Sequence, residues 1–213
     1  MVRNHCEVLC LGILVTDIFP SPISSFPSQG ELMPIESVSL FTGGCAGNTA
    51  TGLQKLNINT GIIGMVGTDY FGDFIKNNLF AQGIDVSRIN TTKESETSKT
   101  IILTLKGEDR RYLHVTGAND FLTLNESDYN YFSNAKLLYI GGFLGMKSFD
   151  AIQCRNLLQW AKEHYMITVL DVLLPIRENL QSIFKKVLPY TDFFIPNSHE
   201  SYLISGEKDT IRQ

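Results

Sequence analysis

Residues 41–53 read "FTGGCAGNTATGL": two adjacent glycines, a third close behind and an asparagine, at the mouth of a stretch with helical character. Gly43 and Gly44 free the main chain to adopt positive φ and, without a Cβ, let a ligand lie against the backbone. Adjacent glycines lose the most conformational freedom on folding, so a close approach has to justify them. Asn48 offers one carbonyl acceptor and two amide donors, which matches a hydroxyl that is itself both donor and acceptor. Its position also suits the N-cap of a helix over 49–56, a role compatible with ligand contact.

Outward from this point the chain alternates. "CEVLCLGIL" (6–14), "TGIIGMVG" (60–67), "AKLLYIGG" (135–142), "MITVLDV" (166–172) and "TDFFIPN" (191–197) are short, nearly continuous apolar runs, the pattern of strands buried on both faces. Helical spacing lies between them: Cys154, Leu157, Leu158 and Ala161 follow i, i+3, i+4, i+7, and Leu180, Ile183, Phe184 and Val187 repeat it. Phe71, Phe74 and Ile75 approximate the same spacing in a helix that ends at Gly83. The expectation is an α/β domain with a mostly parallel sheet flanked by helices. One segment breaks the rhythm. In "SKTIILTLKGEDRRYLHVTGAN" (98–119), Thr100–Leu105 and Arg110–Val115 flank a polar turn and read as an antiparallel hairpin. With "ESVSLFTGG" (36–44) it is expected to form a small β-sheet lid over the strand ends, where α/β sheets bind ligands.

Composition narrows the partners. A chain of 213 residues, 43% hydrophobic and 19% charged, can build one sizeable core with a small appendage. Its net charge of −4, with no Lys/Arg cluster, argues against nucleic acid or an anionic membrane as partner. The first apolar run is broken by Glu7 and closed by Asp17, too short to span a membrane, and a cytoplasmic location is expected. Cys6, Cys10, Cys45 and Cys154 lack paired ligand spacing. Cys6 and Cys10 fall on one face of a strand, and core thiols are the favoured reading over a metal site.

Two standard nucleotide loops fail. Neither Gly43-Gly44-Cys45 nor Gly44-Cys45-Ala46 continues into G-x-G-x-x-G, and no G-K-[ST] occurs anywhere in the chain. A wider pattern does fit: Gly43-Gly44, Asn48 and Ala50, then Gly64-Met65-Val66-Gly67-Thr68-Asp69 with Phe71-Gly72, closing with "LFAQGIDVSRI" (79–89). Asp17, Gly30-Glu31, "TGAN" (116–119) and "IPNSHES" (195–201) extend it in order. The whole resembles the ribokinase-like carbohydrate kinases, the PfkB family. Asn57 departs from that family's usual Gly or Ser, but Asn tolerates the left-handed conformation of a helix C-cap.

The resemblance implies ATP-dependent phosphorylation of a sugar or nucleoside hydroxymethyl group. It implies a sugar site at Asp17, Gly43, Gly44 and Asn48, with Asn197 near the nucleotide phosphates and Glu200 organising Mg2+ through water. Asp69 and Gly72 are read as turn residues. Asp171, at a strand end, is either functional or a helix cap. The family's G-A-G-D motif, which carries the base and the anion hole, is missing. No catalytic residue is therefore assigned, and residues 1–213 are expected to be an inactive, incomplete ribokinase-like domain with lid segments at about 15–44 and 97–118. Asp209-Thr210 would cap a further helix, so the chain is expected to be a gene fragment, a cut form or one piece of a longer product. The alternative is a non-catalytic sugar-binding or interaction module derived from such a kinase. Ile101, Ile102 and Leu103 are consecutive and place apolar groups on both faces of the lid, so a homodimer through the lid is expected. The face expected to be exposed is that of Ile102, with Tyr112 or His114 opposite.

Overall fold

Apolar runs without polar interruption become central strands because both faces of the sheet they form are covered. The structure, a computed structural model, describes residues 6–133, 135–174 and 179–208. In chain order its strands are Val8–Gly12 (β1), Val15–Pro20 (β2), Val38–Gly43 (β3), Thr60–Gly67 (β4), Asp85–Thr92 (β5), Lys99–Leu103 (β6), Arg111–Val115 (β7), Leu137–Phe143 (β8), Ile167–Val172 (β9) and Phe193–Phe194 (β10). The helices are Cys45–Lys55 (α1), Tyr70–Ala81 (α2), Glu126–Phe132 (α3), Ala151–Glu163 (α4), Leu180–Val187 (α5) and Ser198–Ser205 (α6). Six strands pair in the order β10-β9-β8-β1-β4-β5, every neighbour parallel. A second sheet has the order β3-β2-β6-β7.

Alternation deals the side chains of each central strand to opposite layers. Leu9 and Leu11 of β1 join Leu138, Ile140 and the buried faces of α4 and α5, whereas Val8 and Cys10 join Ile62, Val66 and the faces of α1 and α2. Cys6 lies outside β1 and packs against the first of these layers, while Cys10 belongs to the second. The two thiols therefore do not share a face, and the chain's four cysteines are all free. Burial pushes the Cys10 thiol up to about 12, the chemistry of a core residue.

The lid forms as the sequence suggests, from the 36–44 strand and the hairpin, with β2 joining them in the second sheet. Three details differ. The apolar run 6–14 breaks after Gly12, so Asp17 lies within the first lid strand rather than at the end of β1. β5 is absent from the sequence reading because it is an edge strand with alternating burial, and so lacks a continuous apolar run. Ile102 is only 4% exposed, although its cross-strand partner Tyr112 is 55% exposed; Ile101, at 38%, and its partner Leu113, at 60%, are exposed as well. The proposed Asp209-Thr210 cap lies outside the described residues.

A polar lock ties the lid to the main sheet at the end of β4. Asp69 caps α2 by accepting from the Gly72 N–H at 2.9 Å, and its carboxylate also accepts from the Thr97 N–H at 2.8 Å and the Thr97 hydroxyl at 2.6 Å. Thr97 Oγ1 in turn accepts the Gly67 N–H at 2.9 Å. These hydrogen bonds outweigh partial burial and hold the Asp69 carboxyl below its usual range. A Cβ on Gly72 would stand 2.3 Å from the Gly67 carbonyl oxygen, which is why this turn needs glycine. Asn57 follows α1 at φ 62, the left-handed position its side chain tolerates.

Candidate functional site

At the end of β1 the chain must leave the main sheet and enter the lid within three residues. Gly12, at φ +147, makes the turn, and a Cβ there would fall 2.0 Å from the Gly141 carbonyl oxygen. Ile13 N–H donates to that same carbonyl at 3.2 Å. The backbone of the next residue is held by a side chain: Leu14 N–H donates to Asn119 Oδ1 at 3.1 Å, and Asn119 Nδ2 donates to the Leu14 carbonyl at 2.9 Å. Asn119 is 1% exposed and follows β7 in a 3-10 turn over Gly117–Phe121. The "TGAN" motif is thus the clamp that sets the angle between β1 and β2.

Once β2 has turned, Val15 pairs with Gly43 and Asp17 with Phe41. The two glycines then have different jobs. Gly43 provides space, since a Cβ there would lie 2.1 Å from Asp17 Oδ2. Gly44 provides conformation, at φ 85 and ψ 154, and its missing Cβ would meet the Ile13 carbonyl oxygen at 2.3 Å. Gly44 is also the N-cap of α1, and no side chain caps that helix. An uncapped N-terminus presents backbone N–H groups and the positive end of the helix dipole beside the Asp17 carboxylate. Asn48 does not cap a helix over 49–56; it is exposed on α1, with its N–H on the Gly44 carbonyl at 2.9 Å.

Asp17 is the first of three polar side chains in line across the lid. It pairs in register with Thr100, and Thr100 with His114. Thr100 Oγ1 lies 2.9 Å from His114 Nδ1. Burial raises the Asp17 carboxyl above its usual range, opposed by the Thr100 hydrogen bond and the nearby His114. Beside this row a cavity of about 370 Å³ lies between the lid and the ends of β8 and β9, lined by Ile13, His114, Thr116, Leu144, Lys147 and Leu173 among others.

Asp171 caps no helix. It accepts from the Tyr139 hydroxyl at 3.2 Å and from Gly142 N–H at 3.1 Å, bracing the end of β8. The thiol of Cys45, the first residue of α1, is pushed up to about 12, chiefly by burial and then by Asp171, with Glu200 adding to it. Asn197 and Glu200 form a reciprocal capping box on α6: Asn197 N–H donates to Glu200 Oε2 at 2.8 Å, and Glu200 N–H to Asn197 Oδ1 at 2.9 Å.

The structure therefore sets the Asp17 carboxylate against Gly43, with Gly44 and Asn48 following at the start of α1. Asn197 and Glu200 are held together at a second helix N-terminus. Thr100, His114 and the clamping role of Asn119 escape a sequence reading. Strand pairing register creates the Asp17-Thr100-His114 row, and only the G-A-N motif hinted at Asn119.

The profile of the pfkB family carbohydrate kinases matches residues 6–213, and the chain belongs to that family. It is 31% identical over 177 residues to a 5-dehydro-2-deoxygluconokinase of Clostridium tetani, an alignment covering 80% of this chain and 50% of the relative. A nucleoside kinase of Methanocaldococcus jannaschii is 24% identical over 197 residues, covering 91% of this chain and 61% of the relative. The chain thus spans about half the length of the first of these relatives. Its fold matches that of an Arabidopsis thaliana ribokinase solved with ribose and ATP, at a TM-score of 0.80 and 20% identity, over 98% of this chain and 65% of that one. The α/β architecture with a parallel sheet and a small lid sheet is ribokinase-like. No helix among the described residues is long and apolar enough to cross a membrane.

Proposed function

We propose that this chain carries the substrate-binding part of an ATP-dependent kinase that phosphorylates a sugar or nucleoside hydroxymethyl group, and that it works in the cytoplasm. The observation that carries this reading is the half-buried Asp17 carboxylate set against Gly43 and the uncapped α1 N-terminus, beneath a lid at the strand ends. A carboxylate there accepts from vicinal hydroxyls, Asn48 adds an amide, and the lid excludes water. ATP supplies the phosphoryl group when bound. Glu200 is compatible with a water-mediated Mg2+, because its capping box uses Oε2 and leaves Oε1 outside the box, and Asn197 stands beside it. Within this reading the chain's own residues bind and orient the sugar; they provide no assigned base.

Asp17→Asn preserves shape and removes the charge-assisted acceptor, so sugar affinity should fall more than tenfold, for a loss of roughly 1.5–3 kcal/mol. Isothermal titration with D-ribose, 5-dehydro-2-deoxygluconate and adenosine measures it, and unchanged affinity for whichever ligand binds removes Asp17 from the site. Because the Asp17 carboxyl is raised, wild-type affinity should begin to fall, as pH drops, above the ordinary aspartate midpoint.

The alternative reading is a non-catalytic sugar-binding or interaction module derived from such a kinase. Magnesium-dependent phosphorylation of the bound sugar excludes it. The lid also supports a homodimer, through the face that carries Ile101 and Leu113 rather than Ile102. Leu113→Asp should convert a dimer to a monomer in light scattering. A mass unchanged from a wild-type dimer would place the contact elsewhere.

A further inference from the structure

We propose that Asp69 is a positioning residue for the sugar site: without touching the ligand it fixes where Asp17 stands, because two of the contacts that hold Thr16, the residue before Asp17, come from segments tied together by the Asp69 carboxylate. This rests on the sugar-site reading above and goes beyond it by giving a helix cap on the main sheet a share in ligand affinity.

The connection runs through two short branches of hydrogen bonds. Asp69 Oδ2 accepts the Thr97 N–H at 2.8 Å, while Oδ1 accepts the Thr97 hydroxyl at 2.6 Å and the Gly72 N–H at 2.9 Å. On the first branch, Ser98 follows Thr97 directly, and its carbonyl accepts the Thr16 N–H at 2.9 Å. On the second, Gly72 follows Phe71 in the first turn of α2, and the Phe71 carbonyl accepts the Thr16 hydroxyl at 3.4 Å. One carboxylate thus stands behind a backbone contact and a side-chain contact of the same residue. Successive residues of a strand point to opposite faces, so the anchoring of buried Thr16 aims Asp17 the other way, toward Gly43.

The segment between Asp69 and Thr16 has little slack. Thr97 is fully buried and Ser98 nearly so. A Cβ on Gly67 would stand 2.6 Å from the Thr97 nitrogen, and one on Gly117 would stand 2.5 Å from the Glu96 carbonyl oxygen, so β4 and the turn after β7 press on residues 95–98 from two sides. The Glu96 carbonyl accepts the Ala118 N–H at 2.8 Å, and the Ser98 hydroxyl donates to the Val115 carbonyl at 2.7 Å. A helix cap needs one oxygen; the second oxygen of Asp69 holds the base of the lid. In Asp69→Asn an amide nitrogen replaces one of the two, so the Gly72 N–H or the Thr97 N–H meets a donor instead of an acceptor. A buried N–H cannot turn to water for a substitute, and the displacement passes to Thr16.

A double-mutant cycle separates this role from a general loss of stability. Urea unfolding first establishes that Asp69→Asn is folded at the temperature used; should it not be, Thr97→Val, which keeps the shape and removes the hydroxyl, carries the cycle. Titration calorimetry with D-ribose, 5-dehydro-2-deoxygluconate and adenosine follows the ligand that binds. The lock variant should weaken it about tenfold beside a wild-type Asp17 and less than about twofold beside Asp17→Asn, since residues acting through one contact are not additive. Equal losses in the two backgrounds, or no loss in either, overturn the role of Asp69 while the sugar site stands. Amide exchange gives a readout without ligand: the Thr16 N–H should exchange about tenfold faster in the lock variant, beyond any change at Ile140 in β8. A Thr16 amide that only keeps pace with Ile140 overturns the proposal whatever the titrations give. If Asp17→Asn changes nothing, or no ligand binds the wild type, the sugar-site reading fails and this inference falls with it.

Discussion

Gly44→Ala should abolish ligand binding and destabilise the fold by roughly 3 kcal/mol or more, the sum of a strained backbone and a forced displacement. At φ 85 and ψ 154 the residue occupies a region that an L side chain rarely adopts. The added Cβ would stand 2.3 Å from the Ile13 carbonyl oxygen, 2.8 Å from its carbon and 3.0 Å from Leu14 Cα. All three are backbone atoms with little freedom to move, because Ile13 N–H is bonded to Gly141, the Ile13 carbonyl accepts from Ala46 N–H, and Leu14 is held by Asn119. The strain has to appear in the α1 N-terminus itself, which is the surface proposed to meet the ligand. Gly52→Ala is the matched control. It lies in the same helix with nothing within 4 Å of the new Cβ, and it should raise stability by about 0.5–1 kcal/mol. Urea unfolding of both variants separates them, and a Gly44→Ala protein as stable as wild type would show that the turn is softer than its hydrogen bonds indicate.

Asn119→Ala should cost roughly 2–6 kcal/mol, since it leaves the N–H and the carbonyl of fully buried Leu14 without partners, at about 1–3 kcal/mol each. The effect should extend to function, because the same two hydrogen bonds fix where β2 leaves β1 and hence where the Asp17 carboxylate stands. Asn119→Asp is informative beside it: the acceptor for Leu14 N–H remains, the donor to its carbonyl is gone, and a carboxyl is left in a buried site. Both variants should show faster amide exchange at Leu14 and weaker sugar binding, with Asn119→Asp no more stable than Asn119→Ala. A loss below about 0.5 kcal/mol would mean that water or another donor takes over the corner.

Much of this was open to a reader of the residues alone. The alternation of apolar runs with 3.6-period stretches demands a covered parallel sheet, since only burial on both faces suits a strand such as β4, whose eight residues are all buried. The glycine pair, Asp17, the G-A-N motif and the N-x-x-E motif could be found by order and spacing because the backbone requirements behind them are local: a conformation without Cβ, a cap, a turn. β5 and α3 escaped because an edge strand and a two-turn helix leave too weak a periodic signal. The cap of α1 was misassigned to Asn48 because a helix that begins on a glycine with no side-chain cap carries no sequence mark of its start.

What only the tertiary structure decided is register and facing. Whether Ile101 or Ile102 looks outward depends on which side of the lid is covered, and a shift of one residue exchanges the two. Asp171, legible only as a strand-end carboxylate, turns out to brace β8 through Tyr139 and Gly142. The alignment of Asp17, Thr100 and His114 joins β2 to a hairpin, β6 and β7, that lies far along the chain. Local propensity settles what each segment becomes, whereas long-range pairing settles which side chains share a site, and the chemistry proposed for this protein is written in the second.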